Sequence, residues 1–85
     1  MAFTVVFKRG ARKQIRKLPR EVQARIVEVL VALEQGTPGL DIVKLTDEDG
    51  LWRLRVGEYR IIYTAPDAHG IIRITKVGHR GNFYR

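Results

Sequence analysis

The fold turns on one stretch: Leu51-Trp52-Arg53-Leu54-Arg55-Val56-Gly57-Glu58-Tyr59-Arg60-Ile61-Ile62-Tyr63-Thr64-Ala65. Two β-rich runs flank Gly57-Glu58, a two-residue connection with glycine first, as a type II′ hairpin prefers. That turn sets Val56 opposite Tyr59, Arg55 opposite Arg60, Leu54 opposite Ile61 and Trp52 opposite Tyr63. Directly opposed residues share one face of a sheet. Trp52, Leu54, Val56, Tyr59, Ile61 and Tyr63 therefore form an apolar face expected to meet helices, and Arg53, Arg55 and Arg60 gather on the other. Glu58, in the turn, is the one carboxylate expected among them. Like charges directly opposite each other are destabilising. Two readings of this face stand: a solvated outer surface, ordinary for an antiparallel sheet, or a site built for an anion.

Downstream, Pro66 to Gly70 makes a turn and Ile71 to Val77 a third strand. Its parity groups Ile72, Ile74, Lys76 and Arg80 against Arg73, Thr75, Val77 and His79, and a bulge at Gly78 can reset it. Spacing alone leaves open whether Arg80 or His79 joins the hairpin arginines. Upstream lies the acidic turn Asp47-Glu48-Asp49-Gly50. Val22, Ile26, Val29, Leu30 and Leu33 form a helical stripe, stopped by Gly36-Thr37-Pro38-Gly39. Before it, Ala11, Ile15 and Leu18 mark one face of a shorter helix whose remainder is Arg9, Arg12, Lys13, Arg16 and Lys17. Pro19 separates the two helices. Phe3, Val5 and Phe7 alternate as a first strand. The expected fold is α+β: an N-terminal strand, a helical hairpin, then an antiparallel three-strand meander, all in one small sheet with helices on one face.

At 85 residues the chain has room for one small domain, spanning residues 1–85, and excludes a two-domain enzyme. Sixteen Lys and Arg against nine Asp and Glu give +7, partitioned as +7 over residues 1–25, −5 over 26–50 and +5 over 51–85. Two basic blocks around an acidic one point to a positive surface assembled from distant segments, with a polyanion as its natural partner. Net charge that merely keeps a small protein in solution is the plainer alternative. The chain has no cysteine, and with two histidines it offers no metal site; no apolar run reaches the roughly 18 residues of a membrane span. No cofactor and no membrane partner are expected, and a cytoplasmic location is.

The order strand, basic helix, Leu18-Pro19, second helix, Lys44-Leu45 resembles the RelE/ParE family of bacterial toxins from type II toxin–antitoxin pairs. So do residues 52–63, together with Val77-Gly78-His79-Arg80-Gly81-Asn82-Phe83-Tyr84. The resemblance covers essentially the whole chain, and 52–63 with 77–84 is its specific part. It implies the RelE-type fold and, for that branch, cleavage of messenger RNA in the ribosomal A site without a metal. The family's basic pair before the hairpin corresponds to Arg53 and Arg55, the arginine opening the next strand to Arg60, the one after the last strand to Arg80, and the C-terminal tyrosine to Tyr84. The partners it implies are a cognate antitoxin, messenger RNA and the ribosome, with operator DNA reached only through the antitoxin complex.

Such cleavage uses the substrate's own 2′-OH and needs charge dispersal on the phosphorane oxygens, a base and an acid. Arginine suits the first need through its planar fork. It hardly deprotonates in proteins, so a base role held by lysines in some relatives does not carry over to Arg53 and Arg55. His79, whose ordinary pKa lies near neutrality, is the proton-transfer candidate; a structural hydrogen-bonding role competes. Tyr84 either stacks on a splayed base or packs on the sheet edge. Arg9, Arg12, Lys13, Arg16, Lys17 and Arg20 lie in a segment, residues 1–20, that contains no acid to pair with them, and they suit RNA phosphates. The resemblance leaves two competing functions: a ParE-like inhibitor of DNA gyrase without nuclease activity, and a degenerate toxin that only binds an antitoxin.

Overall fold

The structure, a computed structural model, describes residues 2–45 and 50–80. Tyr84 and the acids Asp47, Glu48 and Asp49 lie outside the described residues. The elements run β1 (Thr4–Phe7), α1 (Arg9–Arg16), α2 (Arg20–Glu34), β2 (Ile42–Lys44), β3 (Leu51–Val56), β4 (Tyr59–Thr64) and β5 (Ile71–His79). They build one five-stranded sheet in the order β1-β5-β4-β3-β2, antiparallel except for the β1–β5 pair.

Local chemistry sets the helix ends. Pro19, with φ −55°, stands immediately before α2, where its missing N–H costs no helical hydrogen bond. At the far end Gly36 takes φ 68°, the Gly36 N–H donates to the Leu33 carbonyl at 3.1 Å, and the Thr37 N–H to that of Ala32 at 3.0 Å. This pair of bonds is the Schellman closure, and it needs a residue that tolerates the left-handed region. One face of α2 is apolar at helical spacing and buries Ile26, Leu30 and Leu33 against Leu54, Val56, Ile61, Tyr63, Ile72, Ile74 and Val77 of the sheet. The shorter α1 buries Ala11 completely.

Both helices also protect the β1 side of the sheet. The Phe3 N–H donates to the Glu34 carbonyl at 2.7 Å and the Val5 N–H to Glu34 Oε2 at 2.9 Å, so the end of α2 satisfies the open edge of β1. Beyond Ile74, where β1 has ended, α1 takes its place alongside β5.

The hairpin register is the expected one throughout, from Val56↔Tyr59 to Trp52↔Tyr63. Gly57 has φ 60°, and no non-glycine residue among those described has positive φ, which makes the turn type II′. Two features depart from expectation. A fifth strand, β2, pairs with β3 through Ile42↔Leu54, Val43↔Arg53 and Lys44↔Trp52. It is too short to show a period. The bulge in β5 falls at Thr75 rather than Gly78: Ile62 pairs with Lys76 and Tyr63 with Ile74, leaving Thr75 unmatched.

Candidate active site

The register assembles one basic face. Arg53 and Arg55 on β3 stand opposite Ile62 and Arg60 on β4. After the Thr75 bulge, Lys76 lies opposite Ile62 and Gly78 opposite Arg60. The bulge thus moves Lys76 from the helix-facing parity of Ile72 and Ile74 to the arginine face, and sets Val77 in the core at 3 % exposure. Gly78 presents no side chain opposite Arg60. Arg80, just past the end of β5, is held at the turn: its N–H donates to the Glu58 carbonyl at 2.8 Å, and its Nη1 lies 3.6 Å from Glu58 Oε2. Ile62 is buried in the middle of this face, between register partners Arg53 and Lys76 whose long stems are of the kind that cover apolar surface.

His79 is placed on the other side. It pairs with Tyr59, on the helix-facing parity, and the two rings meet edge to face with centroids 5.3 Å apart at 85°. The structure therefore brings Arg53, Arg55, Arg60 and Arg80 together and does not add His79 to their face.

The expectation that Glu58 is the only carboxylate among the arginines needs correcting. Asp41, just before β2, accepts the Arg55 N–H on its carbonyl at 2.9 Å. Its carboxylate oxygens lie 3.9 Å from Arg53 Nη2 and 3.7 Å from Arg55 Nε. Arg55 Nε–H also donates to the Gly57 carbonyl at 3.2 Å. Asp41 is twelve residues from Arg53 in the chain, and only the pairing of β2 with β3 brings it there.

The six basic residues of the α1 region, Arg9, Arg12, Lys13, Arg16, Lys17 and Arg20, are all exposed, and none forms an ion pair among the described residues. Lys17 lines a cleft with Gln14, Leu18, Lys76, Gly78 and His79, which joins the helix to the end of β5. Arg25 of α2 reaches the turn itself: a Cβ added at Gly57 would stand 3.5 Å from its Nη2. Arg25 carries no motif in the sequence, and only the packing of α2 against the sheet brings it to the turn. No group of three or more His, Asp or Glu side chains suited to a metal ion occurs among the described residues.

The sequence model of the family described as "ParE toxin of type II toxin-antitoxin system, parDE" matches residues 5–84. The chain is a type II toxin of the RelE/ParE family. Toxin RelG of Mycobacterium tuberculosis is 33 % identical to it, over 100 % of this chain and 99 % of that one. Among solved structures, RelE in the archaeal RelE–RelB complex from Pyrococcus horikoshii superposes with a TM-score of 0.79 at 30 % identity, covering 96 % of this chain and 99 % of that one. The RelBE2 complex from Mycobacterium tuberculosis gives 0.77 at 29 % identity, with 94 % and 100 % covered. These likenesses extend over the hairpin and the β5 end, where the toxin carries its arginines. Among its described residues no helix is long and apolar enough to cross a membrane.

Proposed function

We propose that the toxin is a ribosome-dependent, metal-independent endoribonuclease that cuts messenger RNA in the A site and so stops translation. The observation that carries this reading is the convergence of Arg53, Arg55, Arg60 and Arg80 on one face around the Gly57–Glu58 turn. In the proposed reaction the 2′-oxygen attacks the adjacent phosphorus while its proton passes to a base. The bond to the 5′-oxygen breaks, that oxygen takes up a proton, and a 2′,3′-cyclic phosphate remains. Guanidinium forks aimed at the non-bridging oxygens disperse the charge of the phosphorane. Tyr84 is assigned to stacking on the substrate base, and the exposed α1 cations to ribosomal RNA phosphates. His79, beside Arg80 in the chain but on the Tyr59 side, is the proton-transfer candidate that needs its own test.

The RelE–RelB complexes support a cognate antitoxin as the protein partner; operator DNA is proposed to be reached only through that antitoxin complex. A second reading, inhibition of DNA gyrase, draws support from the ParE description of the matching family. Primer extension on a message held in a programmed ribosome, with metal chelated, separates the two. A new stop within the A-site codon that is absent on naked RNA is the expected result. An uncut message from a preparation that is toxic in cells transfers the reading to gyrase.

A further inference from the structure

The arginine face carries its own counterion. One carboxylate, Asp41, is divided between two guanidinium groups at 3.7 and 3.9 Å. Those separations exceed the roughly 2.7–2.9 Å of a closed charge-assisted hydrogen bond. The carboxylate offsets the mutual repulsion of Arg53 and Arg55 and leaves much of their donor capacity open. Arg53 shows this most clearly. Its side chain is only 21 % exposed, and its Nε is shielded from solvent with no hydrogen-bond partner among the described residues. A buried donor in that state is costly until an acceptor arrives. A phosphodiester, with two non-bridging oxygens, is an acceptor of the required charge and shape.

We infer that Asp41 is a positioning residue: it holds Arg53 and Arg55 in aim when no RNA is bound and gives them up to the phosphate of a bound strand. The inference rests on the reading of this face as an RNA site. The exchange is easy because Asp41 is half-exposed, and an exposed ion pair contributes little net stability. The backbone bond from Arg55 to the Asp41 carbonyl keeps the carboxylate beside the two arginines after it has released them.

The test uses the purified toxin and its Asp41→Asn and Asp41→Glu variants, with thermal melts to confirm equal folding. Affinity for a single-stranded RNA oligonucleotide blocked by 2′-O-methylation is measured over a salt series, and single-turnover cleavage on programmed ribosomes is followed in parallel. Asp41→Asn is expected to bind the oligonucleotide about three- to tenfold more tightly at low salt, the gain shrinking as salt rises. Bound message is expected to be cut about tenfold more slowly, because the two forks lose their aim. Asp41→Glu, which keeps the charge, holds wild-type affinity. Unchanged affinity in Asp41→Asn overturns the proposal. So does abolished cleavage at unchanged affinity, which marks a carboxylate acting on a proton. A wild-type toxin that binds the oligonucleotide but leaves ribosome-held message intact sinks the nuclease reading instead, and the affinity comparison still decides the role of Asp41.

Discussion

Gln14 Oε1 accepts the main-chain N–H of Val77 at 2.7 Å, across sixty-three positions of chain. This bond lets a helix stand in for a strand: β1 ends at Phe7, and α1 satisfies the edge of β5 beyond it. It also holds the last stretch of β5, and with it Arg80, against the rest of the fold.

Gln14→Leu keeps about the same volume but leaves the Val77 N–H, beside a residue 3 % exposed, without its acceptor. A buried unpaired donor costs about 1–3 kcal/mol. Urea denaturation of the variant is expected to show a loss in that range with an unchanged slope.

Arg60→Ala and Arg80→Ala each remove a guanidinium from the site and leave the core residues of the sheet in place. Each is expected to slow cleavage by about 10²–10³, the usual cost of losing one preorganised donor, and to abolish toxicity in growth assays. Antitoxin affinity, measured by calorimetry, stays near wild type. Full toxicity in both variants sinks the nuclease assignment.

His79→Phe preserves an aromatic ring against Tyr59, whereas His79→Ala removes the contact. A residue whose work is the ring contact gives a Phe variant that still cuts and an Ala variant that cuts poorly, and this is the outcome its place in the register favours. Loss of cleavage in both, with binding to programmed ribosomes retained, establishes proton transfer.

Ile26 is fully buried under the sheet. Ile26→Ala is expected to cost about 2–5 kcal/mol. That is a large share of a total stability that lies near 5–15 kcal/mol for ordinary domains. Thermal melting well below the wild-type midpoint is the check.

Asp67 accepts the Ile71 N–H at 3.1 Å and the His69 N–H at 2.8 Å on Oδ1, and Arg73 Nη1 approaches Oδ2 at 3.2 Å. The backbone donors, Ile71 first and then His69, hold its carboxyl below the usual aspartate range. A depressed folded-state pKa contributes stability that is complete above the unfolded value and is lost as pH falls through the folded one. Asp67→Ala therefore melts lower than wild type at neutral pH, and the gap narrows in acid. Melting curves from pH 7 down to about pH 2 test the sign, the unfolded carboxyl titrating near 3.9.

Much of this toxin is legible in its residue order. Periodicity marks both helices, because α2 must bury one stripe and α1 must stay clear of Pro19. The hairpin register follows from Gly57 alone: a two-residue turn with positive φ at its first position admits one pairing, and that pairing puts Arg55 against Arg60. The arginine face is local information, carried by a period of two over a dozen residues.

What the order could not supply is anything that depends on two distant segments meeting. Asp41 belongs to the site through β2, a three-residue strand with no period of its own, whose pairing is decided by the free edge of β3. The division of Lys76 and His79 between the faces hangs on one unmatched residue, Thr75, because inserting a residue reverses every side chain beyond it. Alternation is a property of neighbours in sequence, and it can be read there. Counterions and bulges are properties of neighbours in space, and only the assembled sheet decides them.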